Sequence, residues 1–153
     1  MKEYGLIEHT ADIGIRVKAG GLRELFMKTA LAMFDIIAEP KKAKVRGIKT
    51  IKLAQHADNL EELMVNWLNE LLSLSAAKGL IFTGLKIKKL RPDYLEAELK
   101  GRGIEDFNVN SEIKAATYHQ LKIEKKVDTW QAEVIFDVWD KIREDWQFSL
   151  AYP

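Results

Sequence analysis

The sequence predicts an α+β fold: a mostly antiparallel sheet with two main helices packed on one side, in one compact domain. Two observations carry this. Strand-like alternation and helix-like stripes are interleaved along the chain, and several adjacent strand segments are separated only by short turns, as in hairpins. The length agrees, since 153 residues suit a single hydrophobic core.

Tyr4 to Glu8 reads as a short extended run. From Asp12 to Lys18 the alternation is clean: Ile13, Ile15 and Val17 share one face, and Asp12, Gly14, Arg16 and Lys18 share the other. Gly20-Gly21 ends that strand. Leu22 to Ala38 carries an apolar stripe (Leu22, Leu25, Phe26, Ala30, Met33, Phe34, Ile37) and reads as a helix stopped by Pro40. Val45 to Leu53 is strand-like. The second helix has the strongest local signal, with Leu60, Leu63, Met64, Trp67, Leu68, Leu71 and Leu72 on one stripe. Asp58 with Glu61 suits a capping box at its start, and Gly79 suits its end. Ile81 to Leu90 and Tyr94 to Leu99 read as a hairpin turned by Arg91-Pro92-Asp93. Asn108 to Ser111 looks like the cap of a short helix over Glu112 to Ala116. Two strands follow, around Leu121 and Ile123 and over Trp130 to Val138.

Composition removes several classes of protein. There is no cysteine, which excludes disulfides, cysteine-ligated zinc, iron–sulfur clusters and thiol nucleophiles. The 24 basic residues almost balance 23 acidic ones, so bulk charge alone does not suit a nucleic-acid binder. The charge-free apolar stretches are far shorter than the ~20 residues of a membrane span, and the N-terminus has no signal-like apolar region. A cytoplasmic location is expected. No Walker loop, G-x-G-x-x-G, G-x-S-x-G or H-E-x-x-H occurs, and His9, His56 and His119 are widely spaced.

Four polar stretches stand apart from the packing pattern. His9-Thr-Ala-Asp12 precedes the first clean strand; it suits a turn, or a carboxylate held rigidly for a metal or as a base. Asp137 lies within Val134-Ile-Phe-Asp-Val138, where an acid is costly unless solvated, paired or metal-bound. Glu112-Ile-Lys114-Ala-Ala-Thr-Tyr-His119 mixes acid, base, hydroxyl and imidazole. Lys86, Lys88, Lys89, Arg91, Lys122, Lys125 and Lys126 form a lysine-rich strand surface, which is either a solvated face or a contact for RNA or an acidic partner.

Taken in order, His9-Thr-Ala-Asp12-Ile-Gly-Ile, Trp67-Leu-Asn-Glu-Leu-Leu, Glu112 to His119 and Val134 to Val138 resemble the archease family. The resemblance covers residues 1–138, leaving 139–153 as a C-terminal extension in which Trp139, Ile142 and Trp146 have helical spacing. It implies a compact α+β domain that is not itself an enzyme but a protein cofactor of an RtcB-type RNA ligase. That enzyme joins 3′-phosphate or 2′,3′-cyclic phosphate ends to 5′-hydroxyl ends in tRNA splicing. The cofactor promotes its guanylylation with GTP and its multiple turnover. By motif, Asp12 and Asp137 match the family's metal-binding aspartates, and Lys114 its functional lysine. The metal implied is divalent, calcium first, with magnesium or manganese as alternatives. Family members usually end just after the last aspartate. Here the chain runs on past Val138, so Val138 offers only its main-chain carbonyl as a third ligand. The tRNA would be met through the ligase. The alternatives are a stand-alone metal-dependent phosphoryl-transfer or hydrolytic enzyme using Asp12, Asp137 and His119, and an RNA-binding or chaperone module.

Overall fold

Local sequence sets the elements, and the ladders between them set their limits. The structure, a computed structural model, describes residues 3–7, 12–42 and 47–139. Strand β1 (Tyr4–Ile7) runs antiparallel to β2 (Asp12–Ala19), from Tyr4↔Val17 to Ile7↔Gly14. On β2 the expected alternation holds for Ile15 and Val17, which are buried, and for Arg16 and Lys18, which are exposed; Ile13, expected on the apolar face, is half-buried.

Helix α1 (Leu22–Ile37) follows Gly20-Gly21. Its start lacks a side-chain cap, but Glu24 accepts from the Gly20 N–H and pairs with Lys28 one turn on, at 3.1 Å. Buried Thr29 satisfies its hydroxyl by donating to the Leu25 carbonyl at 2.7 Å. The helix gives way to β3 (Ala38–Pro40), and β4 follows (Lys49–His56). Strand β4 is shifted from the expected Val45–Leu53; Val45 itself lies outside the described residues.

Helix α2 (Leu60–Lys78) buries Leu63, Met64, Trp67, Leu68 and Leu71. Its capping box is one residue later than the expected Asp58/Glu61. Asn59 accepts from the Glu62 N–H at 2.8 Å, and Glu62 accepts from the Asp58 N–H at 2.6 Å. The extended backbone of Asn59 makes it the half-in residue. Gly79 ends the helix as expected, with φ 62° and ψ 43°, where a Cβ would be strained.

Strands β5 (Leu80–Arg91) and β6 (Tyr94–Gly103) form the expected hairpin about Pro92-Asp93. A 3₁₀ turn (Ile104–Asp106), β7 (Phe107–Val109), β8 (Glu112–Lys125) and β9 (Trp130–Trp139) complete the chain. The helix expected over Glu112 to Ala116 is instead the first part of β8. Buried Ile113 and Ala116 are three residues apart, which mimics a helical stripe, but a bulge in the ladder produces that spacing. Asn110 and Ser111 do not cap a helix; their N–H groups both donate to the Ile37 carbonyl at the end of α1.

The strands divide into three antiparallel sheets: four-stranded β1-β2-β9-β8, three-stranded β4-β6-β5 and two-stranded β3-β7. Both helices pack against strands of both larger sheets. The core between them includes Phe26, Trp67, Phe82 and Phe136, all essentially inaccessible. The Phe34 and Phe82 rings meet edge to face at 5.6 Å. Among the described residues, no helix is long and apolar enough to cross a membrane. Residues 140–153, with the expected helical stripe, lie outside the described residues.

Candidate functional site

The β2–β9 ladder pairs the first and last motif directly: Asp12 stands opposite Asp137. Directly opposed residues project to the same face, with Cβ atoms about 5 Å apart. The face is the one turned away from the helices. On β9, Ala132, Val134 and Phe136 are fully buried toward the core, so Glu133, Ile135 and Asp137 project the other way. Asp12 and Asp137 are each half-buried.

The same two strands show what a structural charge pair looks like. Arg16 stands opposite Glu133 on this face, and its Nε donates to Glu133 Oε1 at 2.7 Å. Four residues along β2 the rule is reversed, and two carboxylates face each other. Like charges directly opposite destabilise a ladder by roughly 0.2–1 kcal/mol.

Lys114 reaches this row through the bulge in β8. Ile113 pairs with Val138 and Ala115 with Asp137, so Lys114 is the extra residue. Ile113 and Ala116 are both buried toward the helices. The two residues between them, Lys114 and Ala115, therefore leave on the Asp137 face. Asp12, Asp137 and Lys114 thus occupy one row across three strands. Val138 lies half-buried on the helix side, opposite Ile113, with a main-chain oxygen as its only possible donor.

Sequence reasoning did not single out Asn69, which holds this bulge in place. From the middle of α2, its Nδ2 donates to the Ala116 carbonyl at 3.2 Å, and its Oδ1 accepts from the Ala116 N–H at 2.7 Å. Strand β8 is the edge of its sheet, and the carboxamide stands in for a further strand. The available signal was an amide beside the apolar stripe of Trp67 and Leu68. Asn69→Ala is expected to cost about 1–3 kcal/mol, because both main-chain groups lose their partner. Urea unfolding checks this; a cost within 0.5 kcal/mol, the ~0.5 kcal/mol scale of an ordinary surface change, would show that water replaces the clamp.

The other candidates are dispersed. His119 is exposed on β8, just before Gln120, whose φ of 53° marks a second irregular stretch. Neighbouring Tyr118 has its phenol pKa raised, by partial burial and then by the charge of Glu62. His56 sits on the three-stranded sheet against Tyr94, with ring centroids 4.8 Å apart. His9 lies outside the described residues. A cleft of about 290 Å³ opens beside α1, at the Tyr4 end of β1; there Tyr4 donates to Asp35 at 2.5 Å, and burial followed by this bond raises the phenol pKa.

Two facing carboxylates are an all-oxygen donor pair, the type that hard divalent cations take. Among the described residues no third His, Asp or Glu joins them in a metal-binding cluster. Main-chain carbonyls and water would have to complete a shell. Within those limits the residues present fit such an ion.

Two helices between antiparallel sheets, with an acidic row at the end of the ladder joining the first and last motifs, define a small α+β protein with a candidate site at its strand ends. A model of the archease protein family (MTH1598/TM1083) matches residues 4–138. The chain is 37% identical over 144 residues to the protein archease of Pyrococcus abyssi, covering 90% of this chain and 100% of that one. It is 35% identical over 143 residues to that of Methanosarcina acetivorans, covering 90% and 97%. The solution structure of Methanobacterium thermoautotrophicum protein 1598 superposes with a TM-score of 0.67 at 26% identity, over 90% of this chain and 99% of that one. The crystal structure of a Thermotoga maritima archease, described as a possible chaperone, gives 0.59 at 27%, over 86% and 94%. The chain belongs to the archease family.

Proposed function

We propose that this protein is a cofactor of an RtcB-type RNA ligase, promoting its guanylylation with GTP and its multiple turnover in tRNA splicing. Family membership supports the partner. The observation that carries the site is the pairing of Asp12 with Asp137 beside Lys114. Two carboxylates on one rung repel, and a cation between them would offset that repulsion together with the neighbouring ammonium of Lys114. Asp12 and Asp137 would hold a divalent ion, calcium before magnesium or manganese, with the Val138 carbonyl as a third donor. When bound, the ion supplies positive charge for phosphate oxygens. Asp12 and Asp137 orient their oxygens from two rigid, hydrogen-bonded strands. Lys114, an ammonium on a flexible stem, pairs with a phosphate or with a carboxylate of the ligase. The protein supplies no covalent chemistry of its own in this reading.

The test is multiple-turnover ligation by an RtcB-type enzyme with GTP and a 3′-phosphate RNA, with and without this protein. Asp137→Ala and Lys114→Ala run alongside, each checked for folding by circular dichroism. Stimulation by the wild type that drops at least tenfold in both variants is expected. No stimulation, either by the full chain or by one ending at Val138, overturns the reading, and so does GTP or RNA turnover by the protein alone.

A further inference from the structure

The outer face of the β4-β6-β5 sheet is a second candidate surface, on a different sheet from the acidic row. Inward-facing Leu53, Leu95, Ala97, Leu99, Leu85 and Ile87 are buried, which sends the alternate residues out to solvent. Those residues are strongly biased. Lys52 on β4, Lys100 on β6, and Lys86, Lys88, Lys89 and Arg91 on β5 face out, against Glu96, Glu98 and the turn residue Asp93. The face therefore has a surplus of three positive charges on a chain whose total is +1, and the remainder of the molecule is net negative.

A bulge contributes to this bias. Ile87 pairs with Ala97 and Lys89 with Glu96, so Lys88 is an extra residue and two consecutive lysines point outward. The two central glutamates neutralise only part of the charge. Glu98 pairs with Lys88 at 3.3 Å, and Glu96 lies 4.0 Å from Lys89. The hydrogen bond and charge of Lys88, with Lys100 and Lys86 nearby, lower the Glu98 pKa. Arg102, two residues beyond Lys100, extends the row, and its Nε is buried without a hydrogen-bond partner among the described residues.

One end of the face is aromatic. Tyr94 sits opposite both His56 and Arg91 in the two ladders. The His56 ring lies 4.8 Å from the Tyr94 ring, and the Arg91 guanidinium lies 5.2 Å from its centroid. The Tyr94 hydroxyl is held by Glu96 at 2.9 Å, which fixes the ring. Planar groups at the end of a lysine-lined sheet form the arrangement on which single-stranded bases stack while cations follow the phosphates.

We infer that the outer face of the β4-β6-β5 sheet binds single-stranded RNA, with lysines along the backbone and a base stacked at the His56–Tyr94–Arg91 cluster. Charge alone would suit an acidic protein surface equally; the aromatic cluster at the end of this solvent-facing sheet favours RNA. The inference is independent of the Asp12–Asp137 site.

The experiment is fluorescence anisotropy with a 20-nucleotide labelled single-stranded RNA, titrated with the full-length protein across 50–200 mM salt. The variant Lys52→Gln/Lys86→Gln/Lys89→Gln is compared with Lys122→Gln/Lys125→Gln/Lys126→Gln, which loses equal charge from the end of β8. Tyr94→Leu and Asp137→Ala complete the set, and thermal melts confirm that each is folded. The face variant should bind at least tenfold more weakly, with its log–log salt slope smaller by about 2, from ~0.7 per lost phosphate contact. Tyr94→Leu should weaken binding several-fold with the slope unchanged. Asp137→Ala and the β8 variant should stay within twofold of wild type. Equal losses in the two lysine variants, absence of RNA binding at 50 mM salt, or a polyglutamate peptide that binds the face as tightly as the RNA would each overturn the inference.

Discussion

Asp137→Asn is expected to raise the melting temperature in the presence of chelator and to abolish the stabilisation by calcium expected of the wild type. Both effects come from the Asp12↔Asp137 rung. Without a cation, removing one charge relieves a like-charge pair worth roughly 0.2–1 kcal/mol. For a chain of this size ~1 kcal/mol moves the melting point by about 2–4 °C, so the gain is one to a few degrees. With a cation at 100 times its dissociation constant, the wild type gains about 2.7 kcal/mol, a rise of roughly 5–10 °C. The asparagine variant lacks one anionic donor and should show little of that rise. Glu133→Gln is the control on the same face: it breaks the Arg16 pair and should slightly lower the melting point, whether or not calcium is present. Differential scanning calorimetry in EDTA and in calcium, magnesium or manganese reads all of this. A wild type indifferent to every cation, with Asp137→Asn destabilised, would mean that the row is an ion-pair arrangement with Lys114 and not a metal site.

The largest stability loss is expected from Trp67→Ala. Trp67 is fully buried on α2, and its indole Nε1 donates to the Phe26 carbonyl of α1 at 3.0 Å. It thus joins the two helices by packing and by a directed bond. Truncation of a buried tryptophan costs about 3–5 kcal/mol, a large share of the roughly 5–15 kcal/mol that holds a domain of this kind together. The urea midpoint should fall sharply, with the slope of the transition unchanged. Trp67→Phe keeps most of the ring volume and loses the N–H donor, so about 1–2 kcal/mol is expected. A loss under 1 kcal/mol for the alanine variant would show that the helices close over the site.

Elements whose pattern repeats within one segment were legible from the residues. The alternation of Ile13, Ile15 and Val17, the Trp67 stripe, the glycine at 79 and the turn at Arg91-Pro92-Asp93 each depend on neighbours a few positions away. The cap of α2 lies one residue beyond the expected Asp58, because Asp58 and Asn59 have equivalent capping chemistry. Which of them is the last extended residue before the helix depends on how the chain leaves β4. The opening of β8 is not legible locally for a deeper reason. A bulge shifts the side-chain phase by one, and only a partner strand reveals a bulge.

Asp12, Lys114 and Asp137 were legible from the chain as polar candidates, and as one site only through the family resemblance, alongside the α+β class and the two helices. Their arrangement was not. Asp12 and Asp137 are 125 positions apart, and only the β2–β9 register sets them on one rung. Lys114 joins them because β8 carries an extra residue there, two positions before Ala116, whose main chain Asn69 of α2 clamps. The sequence by itself determined the two helices, the regularly alternating strands and which faces are apolar, because those follow from periodicity and short-range chemistry. Tertiary structure decided which polar residues meet, because register and bulges are properties of strand pairs and no single segment encodes them.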